Sequence, residues 1–319
     1  MLLTRFILWM FSVSLMALGA GVVSGQNYPN KPIRILAIGP GGGSDFPARL
    51  IAPGLAAALG QNVIVDNRSG VIPAQIVSRA PPDGYSLLVA GSSTWTGPLL
   101  QKSPYDPIKD FAAVTLLNQA PNILVVHPSL PVTSVKELIA LAKAKPGELN
   151  CATNANGGSP HLAYELFKSM AGVNIVRVPF SASSQALTAL IGNQVHLMFP
   201  SAGGMAAHIK SGRLRAVAIA SAKPSALLPE LPTIAATGVP GFESVSYNGM
   251  FAPAGTPDVI IKRINQETAR ILGTPGVREK FLNAGVEPIS SSPEQFGNTV
   301  KSEMARLGKV IKEAGIHVE

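Results

Sequence analysis

The sequence predicts an α/β protein. Three observations carry that reading: short β-branched runs alternate with amphipathic segments, small turns rich in Gly, Ser and Pro separate them, and several apolar runs are apolar throughout. Runs of that last kind suit sheets covered on both faces. The expected strands, in order, are Ile33–Ile38, Val63–Val65, Ser86–Ala90, Ile123–Val126, Leu149–Thr153, Asn174–Val178, Val195–Phe199 and Arg215–Ala220.

Helix starts are marked by caps. "SVKE" from Ser134 is a capping box, and "KPG" at Lys145–Gly147 ends the helix it opens. "SPHLAYELFKSMAG" places Ser159 at the N-cap and Pro160 in the first turn, with Leu162, Leu166 and Met170 on one face. Thr256 and Pro257 repeat the device, and Pro293 to Ala314 reads as a long terminal helix. Pro53 and Gly54 interrupt the helix expected after Asp45, which predicts a kink or a split there.

A chain of 319 residues is long enough for two domains of about 150 residues each. Hydrophobic residues make up 46% and charged residues 14%, so a large core is available and disorder is excluded. Residues 1–25 put Arg5 ahead of an uncharged apolar run that ends in small residues, the layout of a signal peptide cleaved after Gly25. The run from Phe6 to Val23 also approaches the length of a spanning helix, so a retained anchor is the alternative. Cys151 is the single cysteine, which excludes an internal disulfide and a thiolate zinc site. No local base marks it as a nucleophile, and a buried apolar role fits it better. The formal charge of +8 comes from scattered Lys and Arg without a basic run, which argues against nucleic acid and for a mild field that attracts small anions.

The chemistry-bearing candidates are turns. "GPGGGSDFPARL" follows a strand and opens a helix, as anion-binding loops do. Gly39 and Gly41 match the start of a dinucleotide fingerprint, but Ser44 stands at the third glycine position and no Gly-Lys-Ser/Thr follows. No G-x-S-x-G elbow or H-E-x-x-H pair occurs, and the five histidines are dispersed. His161 beside Ser159 reads as a surface imidazole, and the residues imply no cofactor or metal. Five turns remain: Pro40–Asp45, Ala90–Gly97, Asn154–Pro160, Phe180–Gln185 and Phe199–Gly204. At the C-terminal ends of strands they would line a ligand crevice with amides and hydroxyls. Hydrogen bonds to a charged group contribute about 1.5–3 kcal/mol each, and micromolar binding needs about 8 kcal/mol. Three or four donors therefore suffice to hold a small organic acid.

With these pieces in order, the chain resembles the substrate-binding proteins of tripartite tricarboxylate transporters, the Bug-type periplasmic receptors. The resemblance runs through "YPNKPIRIL", "GPGGGSDFPAR", "LGQNVIVDNRSG", "PPDGYSLL", "SPYDPIKDFAAVTLL", "GGSPHLAYELF", "LTALIGNQVHLMFPSAGGMAAHIKSGRLRAVAIAS", "LPELPTIAATGVPGFES" and "NGMFAPAGTPDVIIKRIN". It implies a periplasmic-binding-protein-like clamshell of two α/β lobes joined by two crossing segments. Lobe 1 would hold residues 26–124 and 251–319, and lobe 2 residues 125–250, with "PNILVVHP" and "SYNGMFAPAG" as the crossings.

The resemblance further implies an exported, non-catalytic receptor that delivers a small carboxylate to membrane transporter subunits, with a monomer as the default expectation. Pro40, Gly42 and Gly43 would allow close approach of the ligand, while Ser44 and Asp45 would cap the helix; Asp45 suits a cap because facing carboxylates repel. Ser92, Ser93 and Thr94 would add hydroxyls, and Asn156, Gly157, Gly158 and Ser159 would close from the opposite lobe. Ser181, Ser183, Ser184, Pro200 and Ser201 complete the expected ligand-binding set, and "FSASS" and "RSGVIPAQIV" depart from the usual pattern of the distal pocket that selects between ligands. Two other readings stay open: a secreted serine hydrolase using Ser159 and a distant His, and a ligand-dependent partner of a sensor protein.

Overall fold

The computed structural model describes residues 28–39, 43–153, 158–180, 183–313 and 316. The expected signal segment, 1–25, lies outside them, and among the described residues no helix is long and apolar enough to cross a membrane.

The first passage of the chain builds β1 (Ile33–Ile38), α1 (Asp45–Leu59), β2 (Val63–Arg68), α2 (Ile72–Ser78), β3 (Ser86–Gly91), α3 (Ser93–Thr96) and β4 (Phe111–Pro121). A middle passage follows with β5 (Ile123–Val126), α4 (Val135–Ala144), β6 (Asn150–Thr153), α5 (Ser159–Ala171), β7 (Val176–Pro179) and α6 (Ser183–Ile191). It continues through β8 (Leu197–Met198), α7 (Ala206–Lys210), β9 (Arg215–Ile219) and α8 (Ile234–Thr237). The chain then returns with β10 (Val245–Pro253), α9 (Asp258–Leu272), α10 (Pro275–Asn283), β11 (Glu287–Pro288) and α11 (Pro293–Glu313).

These strands form two sheets. The first has the order β11-β4-β10-β3-β1-β2, with β1 parallel to β2 and β3, and β10 antiparallel to β3 and β4. The second has the order β7-β6-β8-β5-β9, with β6 parallel to its neighbours and β5 antiparallel to its own. Cores lie on both faces of the central strands, which is why β3 and β5 read as apolar runs, whereas the edge strands β2 and β7 bury no residue fully. In β1, Ile33, Ile35 and Ala37 pack under α1 and α9, while Leu36 faces Trp95, Phe251 and Phe296. In β5, Leu124 and Val126 face one way and Ile123 and Val125 the other.

Ile123 and Leu124 already pair with β9 in the second sheet, and Val245–Met250 already pair within the first sheet. β4, β10 and β11 were not among the expected strands. Ala, Asn, Gln and Pro dilute the β signal of β4, and β10 contains Asn248, Gly249 and Pro253. Gly249 is required because the Phe296 ring lies where a Cβ would be.

Other expectations need correction. Gly158 is the N-cap of α5, and Ser159 stands inside the helix. Leu162 and Leu166 are buried as expected, but Met170 is 40% exposed. Pro257 caps α9, while Thr256 donates to the Pro253 carbonyl at 2.7 Å. His161 is buried beside Glu165, its Nε2 3.4 Å from the carboxylate, and is no surface imidazole. Cys151 is fully buried, and burial pushes its thiol far above its ordinary range.

Nor is α1 split: it runs unbroken through Pro53, which is exposed, so water can satisfy the carbonyl that the missing N–H leaves free. Gly54 has a packing reason, since an added Cβ would stand 2.8 Å from Ile271 Cγ1 of α9. We therefore expect Gly54→Val to lower the urea unfolding free energy by about 1–3 kcal/mol through overpacking. Combining it with Ile271→Ala should recover part of that loss, and equal loss in the double variant would contradict this account.

Candidate functional site

The two sheets meet at a cleft whose described walls form two joined cavities. The first, of about 320 Å³, is lined by Gly43, Ser92, Ser93 and Thr96 from one side and by Gly158, Ser159 and Leu162 from the other. β10 and the residues before it supply Glu243 to Asn248, and α11 supplies Glu303, Arg306 and Leu307. The second, of about 400 Å³, is lined by Asn122, Ser159, Pro160, Ser183, Ser184, Leu187, Met198, Pro200, Ser201, Gly204, Met205 and Ser246. Ser159 and Ser246 belong to both.

Two helices of 15 and 13 residues, α1 and α5, begin at the first cavity, and neither has a side-chain cap. Their N-terminal amides and dipoles favour a negative group between them. Ser44 does not cap α1: its buried Oγ accepts from the Ile38 amide at 3.0 Å and pins the loop to β1. Asp45 does not line either cavity. Its buried carboxylate accepts from Asn67 Nδ2 at 2.8 Å and from Arg49 Nε at 3.0 Å, so its charge is matched within the lobe.

Thr94 is also buried away from both cavities, and its carbonyl accepts from the Tyr105 hydroxyl at 3.0 Å. Ser92 reaches the wall, but its Oγ accepts from the Tyr247 amide at 2.9 Å and donates to Glu303 at 3.4 Å. Ser93, Gly43, Gly158 and Ser159 stand on the first wall, and Ser183, Ser184, Pro200 and Ser201 on the second. Pro40, Gly42, Asn156, Gly157 and Ser181 lie outside the described residues.

Ser159 is held by the seam between the sheets. Asn122 Nδ2 donates to Ser159 Oγ and to Ser244 Oγ, both at 2.8 Å, and Ser246 Oγ donates to Ser159 Oγ at 3.3 Å. Among the described residues no histidine lines either cavity. His161 pairs with Glu165 instead.

Asn122, Ser244, Ser246, Glu303 and Arg306 were absent from the sequence-derived site. Glu303 had a readable signal, because it falls in the stripe Phe296, Val300, Leu307, Val310 that α11 buries. Trp95 Nε1 donates to it at 2.7 Å, and the Arg306 guanidinium stands 3.9 Å away. Arg306 also donates to the Glu243 carbonyl, and the Tyr247 hydroxyl donates to the Glu243 carboxylate at 2.8 Å. Burial pushes the Glu303 carboxyl up to about 7, against the opposing pull of Trp95 and Arg306. It likewise pushes the Tyr247 phenol up, with the Glu243 carboxylate adding to the effect.

The sequence profile of the tripartite tricarboxylate transporter family receptors matches residues 47–316. The chain belongs to that family. Protein BugT of Bordetella pertussis is 35% identical over 303 residues, covering 93% of both chains. Among solved structures, Rpa4515 of R. palustris with adipate is 38% identical, with a TM-score of 0.70 over 91% of this chain and 99% of that one. MatC of Rhodopseudomonas palustris, with bound malate, is 28% identical, with a TM-score of 0.67 over 89% of this chain and all of that one. The fold is thus the two-lobed α/β clamshell of periplasmic binding proteins.

The receptor's buried Glu303 sets a pH dependence. A carboxyl raised from about 4.3 unfolded to about 7 folded adds stability that is complete below the lower value and lost as pH rises through the upper one. The span is roughly 3 kcal/mol. Thermal unfolding should show wild type melting lower at pH 8 than at pH 5, and Glu303→Gln should remove most of that difference while keeping the acceptor for Trp95. The same drop in the variant would show that Glu303 is not its source.

Proposed function

We propose that this protein is a periplasmic receptor that holds a small carboxylate between two lobes and delivers it to the membrane subunits of a tripartite tricarboxylate transporter, without acting chemically on it. One observation carries the reading: two uncapped helix N-termini open on a single cavity, with Gly43 at one and Gly158 and Ser159 at the other. Family membership supports it, as do the acids held by two relatives, adipate and malate. The lobes we infer are residues 28–121 with 245–313, and residues 123–244, whose Ile234, Val239 and Phe242 share the core of the second sheet. Ser159 supports binding rather than attack, since its Oγ accepts from Asn122 and Ser246, whereas a nucleophilic serine needs a base to take its proton.

Gly43 offers the cleanest test. A Cβ there would meet nothing within 4 Å, so added bulk enters the cleft without disturbing the fold. Calorimetric titration with a panel of small organic acids and neutral sugars should give saturable heat only with acids. Gly43→Val should weaken that binding at least tenfold with an unchanged melting temperature. Heat from a sugar and none from any acid would overturn the reading.

A further inference from the structure

We propose that this receptor takes up a proton together with its carboxylate ligand, and that Glu303, on the wall of the first cavity, receives it. This coupling rests on the carboxylate reading above and sets a condition on it: the acid is held more tightly below neutral pH and released above it.

The wall of that cavity is unevenly charged. Among the described lining residues, two carboxylates, Glu243 and Glu303, stand against one guanidinium, Arg306. With all three ionised the wall holds an excess negative charge, facing the space that a ligand's carboxylate must enter. The two carboxylates are not equally provided for. Glu243 is half-buried and accepts from the Tyr247 hydroxyl at 2.8 Å. Glu303 is 5% exposed, and both of its hydrogen-bond donors, the Trp95 indole at 2.7 Å and the Ser92 hydroxyl at 3.4 Å, fall on Oε2. Its Oε1 has the Arg306 guanidinium at 3.9 Å, too far for a hydrogen bond. Of the two, Glu303 is therefore the one that gives up its charge first. Burial has already pushed its carboxyl up to about 7.

No neighbour can take its part. The helix α11 packs on α3, residues 97–99, β4, α5 and α9. The first three contain no ionisable side chain. Leu162 of α5 faces α11, while His161 and Glu165 pair with each other. α9 keeps Asp258, Lys262, Arg263 and Arg270 exposed, with Glu267 paired to Arg270. Tyr247 of β10 keeps its proton, because burial and the Glu243 carboxylate push its phenol up. Charges that share a cavity of about 320 Å³ stand within about 8 Å of one another, close enough at a protein's effective dielectric to change affinity more than about tenfold. A bound carboxylate thus raises the proton affinity of Glu303, and by linkage the proton raises the affinity for the carboxylate by the same factor.

The test is calorimetric titration of the whole protein with hexanoate, benzoate and adipate, whose own carboxyls stay ionised throughout. It is run at pH 6.5 and pH 9 and, at pH 7.5, in two buffers of different ionisation heat. Affinity should fall at least fivefold from pH 6.5 to pH 9, as Glu303 loses its proton in the free receptor. The buffer pair should report uptake of about half a proton or more at pH 7.5. Glu303→Gln, which keeps the acceptor for Trp95 but cannot ionise, should remove both the fall and the uptake. An acid that binds equally at both pH values without proton uptake, or a fall and an uptake that persist in Glu303→Gln, overturns the inference while leaving a carboxylate receptor standing. No heat from any of these acids at any pH overturns that reading and this inference together.

Discussion

Asn122 stands between β4 of the first sheet and β5 of the second, and it is almost wholly buried. Its amide nitrogen donates to the Ser244 carbonyl at 3.0 Å, and its own carbonyl accepts from Ala220 at 2.8 Å. Its side chain bonds Ser159 and Ser244. One residue thus fixes both crossings of the chain against each other and sets the serine at the head of α5 on the wall of the cleft. A buried amide of this kind is costly to leave unpaired, about 1–3 kcal/mol for each lost partner. The seam therefore holds one register.

The terminal helix α11 adds the second constraint. Its first turns bury Phe296 and Val300 in the core of the first sheet, and its last turns bury Val310 in the core of the second. Leu307 and Ile311 pack between them on Leu162 of α5. Glu303 and Arg306 lie midway, where the helix passes the cleft, and they hold Trp95 and the segment entering β10. The charged groups of the site are consequently committed to joining the two halves, which fits the proposed grip on the ligand by backbone amides and hydroxyls. That division suits a receptor that must release what it binds.

Much of this was legible in the chain because the signals were local. Each expected strand coincides with or overlaps an observed one, since β-branched runs mark them even at the sheet edges, and the Ser134 cap is present with its bond to the Glu137 amide at 3.2 Å. The glycine-rich turns that reach the cleft were equally readable from their place between strand and helix. What escaped depends on distance in sequence. Asn122 finds its partners 37 and 122 residues away, and no spacing rule marks an asparagine for that role. β10 was hidden by Gly249, which exists for the ring of Phe296, and the role of Gly54 lies in Ile271. Ser44 and Asp45 looked like caps because their residue types suit caps, but the strand and Asn67 compete for them more strongly.

The central claim is that the ligand is gripped at the seam, with Asn122 acting through Ser159. A double-mutant cycle measures it most directly: the affinity of wild type, Asn122→Ala, Ser159→Ala and the double variant for whichever acid of the calorimetric panel binds tightest. Each single variant should lose at least tenfold, and the double should lose no more than about threefold beyond the weaker single, because both remove the same contact. Full affinity in both singles, or losses that simply multiply in the double, would contradict the account.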